Sequence, residues 1–186
     1  MRKCDRLLGG LLVLVMAAMP LMRPHPVTAA SAAEINREAN AALRTLYAGT
    51  PAAKELGAKA KGILVFPSIV KAGFIVGGQY GEGVLLKGGK TVAYYNTVAA
   101  SYGLQIGAQK FGYALFFMSE SAMNYLDKSD GWEIGSGPSI VVLDKGAAGA
   151  LTTTTTKSEV YAFFFSQKGL MGGLGLQGTK ISKLNK

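Results

Sequence analysis

Gly88-Gly89-Lys90-Thr91 has the ending of a phosphate-cradling loop, in which backbone amides and a lysine surround a nucleotide's phosphates ahead of a helix. That loop requires four residues between its first glycine and Gly-Lys-[Ser/Thr], whereas Gly83 to Gly89 encloses five. The flanks Val84-Leu85-Leu86-Lys87 and Thr91-Val92-Ala93-Tyr94-Tyr95 are rich in strand formers, so Gly88-Gly89 reads as a two-residue hairpin turn. Gly173-Leu174-Gly175-Leu176-Gln177-Gly178 is formally a GxGxxG, but only eight residues follow it, too few for the helix and strand that a dinucleotide site needs. Glu120, Asp127, Asp130 and Glu133 lack the alternating oxygen donors of a calcium loop and have no second cluster to pair with for acid-base work, so capping and turns account for them. Trp132, the sole tryptophan, reads as a core anchor.

Cys4 and His25 are the only cysteine and histidine, and both fall in a segment unlike the rest. Met1 to Arg6 is a short basic head, and Leu7 to Met19 an apolar run ended by Pro20, the build of a secretory signal. The run is short of the roughly 20 residues that span a bilayer, so an uncleaved anchor is the lesser reading. Small residues allow cleavage after Ala29, Ala30 or Ala32, and Ala30 is taken as the boundary. Cys4 precedes the apolar run, which does not fit a lipoprotein signal. Loss of Arg2, Lys3, Arg6, Arg23 and Asp5 with residues 1–30 leaves 16 basic against 10 acidic residues. The mature chain then has neither His nor Cys, which removes Ser-His-Asp and Cys-His nucleophiles and nearly all zinc and copper sites. No catalytic residue, metal or cofactor is assigned, and export to the periplasm or envelope is expected.

Residues 31–186 read as one domain. Ser31-Ala32-Ala33-Glu34 fits a capping box, and Ile35, Ala39, Ala42, Leu43, Leu46 and Tyr47 follow at helical spacing to about residue 47. Thr50-Pro51 starts a second helix running to about Lys61. Short β-forming runs follow at 63–66, 73–76, 84–86, 91–95 and 113–117. Ser119 to Asp127 predicts a short serine-capped helix. Further strands are expected at 140–143, over the threonine run 152–156, at 160–165 and from Leu170 to about Ile181. Gly73, Gly77, Gly81 and Gly83 fall on one strand face, which permits close approach or sharp curvature of the sheet.

Arg37, Arg44, Lys54, Lys59, Lys61 and Lys71 cluster in the helical third or just beyond it, opposed only by Glu34, Glu38 and Glu55. A basic amphipathic segment suits an anionic membrane surface, and a solvated helix face is the equal alternative. Aromatics interleaved with arginine are lacking, so nucleic acid is not an expected partner. A membrane β-barrel is disfavoured by the two helices and by Val160 to Phe165, apolar on both faces.

Ala60-Lys-Gly-Ile-Leu-Val-Phe-Pro67, Lys71-Ala-Gly-Phe74, Gly77-Gly78 and Gly81-x-Gly83 resemble the opening motif of the SYLF domain, a lipid-binding module. Gly103-Leu-Gln-x-Gly-Ala-Gln109, Gly137-Pro138, and Ser166-Gln-Lys-Gly-Leu170 with Gly172, Gly175 and Gln177-Gly178 resemble its later motifs in the same order, so that the similarity covers about residues 35–181. The resemblance implies an α+β fold: two amino-terminal helices packed on a strongly curved, mostly antiparallel, barrel-like sheet with one further short helix. It implies phospholipid binding without catalysis and points, by position, to Arg37, Arg44, Lys54, Lys59 and Lys61. Thr91 to Tyr95 stands where eukaryotic members carry a Trp-Ser-x-Pro segment, and no length remains for an SH3 or FYVE module. The expected ligand is therefore an anionic phospholipid such as phosphatidylglycerol or cardiolipin rather than a phosphoinositide. A structural or protein-interaction module with an envelope protein partner is the alternative.

Overall fold

In a computed structural model, which describes residues 30–74, 76–102, 107–128, 131–143, 158–169 and 178–186, Ser31 opens the first helix as its spacing predicts. Its hydroxyl accepts the Glu34 amide at 3.2 Å, and α1 (Ala32–Gly49) buries Ile35, Ala39 and Leu46. Pro51 begins α2 (Pro51–Lys59), but the predicted threonine cap is replaced by backbone. The Thr50 carbonyl, not its hydroxyl, accepts the amides of Ala53 and Lys54 at 3.0 and 3.4 Å. This helix also stops before the expected Lys61, because the Lys61 amide donates to the Phe117 carbonyl at 2.8 Å and has already joined the sheet.

The strands are β1 (Gly62–Phe74), β2 (Val76–Lys87), β3 (Lys90–Tyr102), β4 (Gly107–Phe117), β5 (Trp132–Glu133), β6 (Ile140–Leu143), β7 (Val160–Gly169) and β8 (Lys180–Leu184), with α3 (Glu120–Lys128) after β4. They form one sheet in the order β5-β8-β3-β2-β1-β4-β7-β6, antiparallel at every pairing except β6 with β7. The α+β expectation holds, with the sheet curled into a half-barrel. Ser119 caps α3 as expected, accepting the Ala122 amide at 3.1 Å. Gly88 and Gly89, at φ 54° and 77°, make the two-residue turn between β2 and β3.

The single strand expected at 73–76 is instead the end of β1 and the beginning of β2, with Gly73 opposite Gly77. A Cβ on Gly73 would lie 2.4 Å from the Gly77 Cα, so bare glycine on both strands allows this approach. The threonine run and most of the strand expected from Leu170 lie outside the described residues. Its end is seen in β8, which continues past Ile181 to Leu184.

A bulge in β1 sets the register. Phe66 and Pro67 together oppose Gly83 of β2, while Pro67 and Ser68 oppose Gly112 of β4. Proline is tolerated in this central strand because a bulge leaves one ladder donor unused. Val92 of β3 is a second extra residue, left between the partners of Leu86 and Leu85, and a third irregularity lies in β7, where Ser166 (φ 53°) and Gln167 oppose Phe111.

Both sheet faces are apolar over the half nearest the helices. One carries Ile63, Val65, Val84, Leu86, Ala114, Phe116 and Phe163, packed beneath α1 and α2. The other carries Leu64, Phe66, Leu85, Tyr95, Tyr113 and Leu115, closed by Ala122, Met123 and Leu126 of α3 and by Trp132. Trp132 is 1% exposed, donates its indole N–H to the Ser136 carbonyl at 3.1 Å and packs against Phe117, the anchoring role its composition suggested. Asn36 ties α1 to β3, donating to the Tyr94 hydroxyl and accepting from that of Thr91, both at 2.8 Å.

Candidate functional site

The predicted basic residues fall in four places. Arg37 and Arg44 are exposed on the side of α1 opposite Ile35, Ala39 and Leu46. Seven residues apart, they stand two turns and about 10 Å from each other along one helix face. Glu34 lies 3.9 Å from Arg37 with both side chains largely in water, a contact that leaves the guanidinium available. Lys54 and Lys59 are exposed on α2. Five residues apart, they point roughly 140° away from each other around it. Lys61 is exposed where the chain enters β1.

Lys71 does not join them. It pairs with Gln79 and Gln109, nine residues into β1, and shares its face with Ile69, on the side of the sheet opposite the helices. At about 3.3 Å per residue it is roughly 30 Å along the strand from Lys61.

The register assembles a different set that no local pattern announces. Lys168, Lys110, Val70, Tyr80, Val98 and Lys180 stand directly opposite one another across β7, β4, β1, β2, β3 and β8. All six are exposed. They continue the face that α1 and α2 cover nearer the other end, since even-numbered residues of β2 run from Leu86 and Val84 under the helices to Tyr80 and Val76 in the open. Glu82 on the same strand is held by Lys186 at 2.8 Å, and the same ammonium donates to the Ala30 carbonyl.

The acidic residues are spread among structural tasks. Glu120 starts α3, Asp127 accepts the Tyr95 hydroxyl at 2.9 Å and lies 3.7 Å from Lys183, and Glu133 faces Lys180 on the edge strand; Asp130 lies outside the described residues. Among the described residues, no group of three or more His, Cys, Asp or Glu could hold a metal ion. Nor, among them, is any helix long and apolar enough to cross a membrane. Inside the sheet the Tyr113 and Thr97 hydroxyls share a hydrogen bond of 2.8 Å, and Gln79 donates to Thr179 at 3.4 Å.

Burial pushes the Tyr113 phenol above its ordinary range, only partly offset by the Thr97 contact. Burial also raises Tyr95, helped by the bond to Asp127. Tyr80 is pushed up to about 12 by partial burial and by its bond to Glu82. A phenol whose folded pKa is raised stabilises the fold fully below the unfolded value near 10 and loses that contribution as pH rises towards the folded value. Urea unfolding from about pH 8 to about pH 11 should therefore show stability falling above about pH 10, by up to about 1.4 kcal/mol per pH unit for each of the buried phenols Tyr95 and Tyr113 and by less for the half-exposed Tyr80, where solvent screens the effect. Tyr113→Phe should flatten the fall; an unchanged slope would mean that this buried phenol does not resist ionisation.

A family model described as "Las17-binding protein actin regulator" (Ysc84, the SYLF domain) matches residues 98–186. The matched segment begins inside β3 at Val98 and extends past β8, with α1 and α2 outside it. No curated protein matches the chain.

Proposed function

We propose, on the premise of the match between residues 98–186 and the SYLF domain, a binding module, that the protein binds anionic phospholipid at the bacterial cell envelope through its basic helical surface. The observation that carries this reading is the alignment of Arg37 and Arg44 on the outward face of a helix whose other face is locked to the sheet. A guanidinium offers a planar fork of donors that fits a phosphate, and two on one rigid face can engage two headgroups without ordering a loop. Lys54, Lys59 and Lys61 add positive potential at the membrane surface, each worth about 1 kcal/mol close to it. Lys71, on the other side of the sheet, is not part of this surface. Residues 1–30 act in this reading as a removable export signal, and the intact mass of protein recovered from a periplasmic fraction would show whether cleavage occurs near Ala30.

Co-sedimentation should recover the protein with phosphatidylglycerol vesicles and not with phosphatidylcholine vesicles, with recovery falling as salt is raised. Exchange of Arg37, Arg44 and Lys59 together for glutamine should weaken binding by roughly 5-fold per charge. Equal recovery on neutral and anionic vesicles, indifferent to salt, would sink the electrostatic reading. The matched family's description as an actin regulator that binds a protein favours a second reading, a protein-interaction module. Crosslinking in cells that returns one protein partner and no co-purifying lipid would support that reading instead.

A further inference from the structure

We propose that the protein meets an anionic bilayer with the uncovered half of its helix-bearing sheet face. Val70, Tyr80 and Val98 enter the interface there, while Lys110 and Lys168 at one end of the row and Lys180 at the other hold headgroup phosphates. The proposal rests on the phospholipid-binding reading and names the contact surface for it.

Three observations converge. Val70, Tyr80, Val98 and the neighbouring Val76 are 53%, 49%, 45% and 54% exposed, an unusual concentration of large apolar side chains left open on a single sheet face. The adjoining row is Ala108, Ala72, Gly78 and Ala100, all exposed and all small, so that among the described residues of this row no tall side chain interrupts the surface. The cations lie in the same register as the apolar centre and at both of its ends. Across six strands about 4.8 Å apart the row spans roughly 24 Å. Valines and a tyrosine at the centre suit the boundary between headgroups and acyl chains, and flanking lysines can extend their ammonium groups to phosphates while their stems lie along apolar surface.

Charge argues for a bilayer over a second copy of the chain. Two such faces stacked about a two-fold axis would set lysines against lysines in either direction of the row, with Glu133 beyond Lys180 to offset them and Glu82 already neutralised by Lys186. An anionic surface meets all three lysines favourably. Helices α1 and α2 lie on the same side of the sheet, so their basic residues add to the attraction instead of opposing it.

The test uses the mature chain and vesicles of equimolar phosphatidylcholine and phosphatidylglycerol. Exchange of Lys110, Lys168 and Lys180 together for glutamine should lower partitioning roughly 100-fold, about 5-fold per lysine. Val70→Ser with Val98→Ser should weaken binding even at high salt, where charge contributes little. Tyr80→Trp should add fluorescence that bromine-labelled acyl chains quench, while the buried Trp132 stays unquenched. Circular dichroism of each variant should match that of the wild type, since the substituted positions are exposed. Vesicle binding by the wild type that survives all of these changes, with Tyr80→Trp unquenched, would overturn the surface assignment and leave phospholipid binding standing. A wild type that binds no vesicle would overturn both. A wild-type dimer whose contacts shield Tyr80 would overturn the assignment in favour of a second copy.

Discussion

Gly83→Val should leave the protein unfolded or at least about 3 kcal/mol less stable, while Gly78→Val in the same strand should change stability by less than about 0.5 kcal/mol. Both glycines lie in β2 with ordinary negative backbone angles, so the difference comes from space. A Cβ on Gly83 would stand 2.3 Å from the Val65 carbonyl oxygen and 2.7 Å from the Phe66 ring, both fixed by the β1 bulge that Gly83 faces alone. Neither can withdraw without breaking the ladder on both sides of the central strand. A Cβ on Gly78 would meet nothing closer than the Ala99 carbonyl at 3.8 Å. Urea midpoints of the two variants check this. Equal midpoints would mean that β2 can drift away from the bulge, and the tight contact would lose its structural role.

The glycine pattern was therefore legible for its purpose but not for its geometry. Odd-numbered glycines on one face announce close approach, and Gly73, Gly81 and Gly83 each meet backbone within 3.0 Å of a virtual Cβ. What no window of sequence shows is that Phe66-Pro67 would insert an extra residue opposite one of them. Strict alternation from Ile63 and Val65, which pack under the helices, would carry Lys71 onto the same face and Val70 onto the other. The bulge reverses both: Val70 surfaces beside Tyr80, and Lys71 turns to the far side of the sheet. A grouping of Lys71 with Arg37 and Arg44 by nearness in sequence fails for that reason.

The helices were easier to read because their signals are local. A capping serine, an apolar stripe and a proline at the first helical position each act within one turn, and α1 and α2 begin where these predict. Arg37 and Arg44 inherit that legibility, since seven residues return to the same helix face whatever surrounds it. Lys110, Lys168 and Lys180 belong to three strands, and their alignment depends on three bulges, in β1, β3 and β7, and on a crossover that seats β4 beside β1 instead of β3. Long-range register of this kind is fixed by pairing across the sheet.

Phe116→Ala should cost about 3–5 kcal/mol and should loosen the helical layer before the rest of the fold. Phe116 is fully buried, packs edge-on against Phe163 at 5.1 Å between ring centres, and supports Tyr47 of α1 at 6.4 Å. Tyr47 in turn rests its hydroxyl where a Cβ on Gly57 of α2 would be 2.2 Å away, so one stack of contacts joins sheet, first helix and second helix. Truncating the ring removes the floor of that stack. Amides of α1 and α2 should then exchange with solvent faster than those of β1 and β4. Phe117→Ala offers the comparison, because Phe117 is as deeply buried but packs on the opposite face against Trp132. It should destabilise comparably without selective loosening of the helices. Equal exchange in α1 for the two variants would show that the helices are held chiefly by Asn36 and the aliphatic contacts. If the basic helical surface contributes to vesicle binding, Phe116→Ala should weaken that binding more than Phe117→Ala under conditions where both remain folded, because a rigid Arg37 and Arg44 pair loses less freedom on meeting phosphates than a pair on a loosened helix.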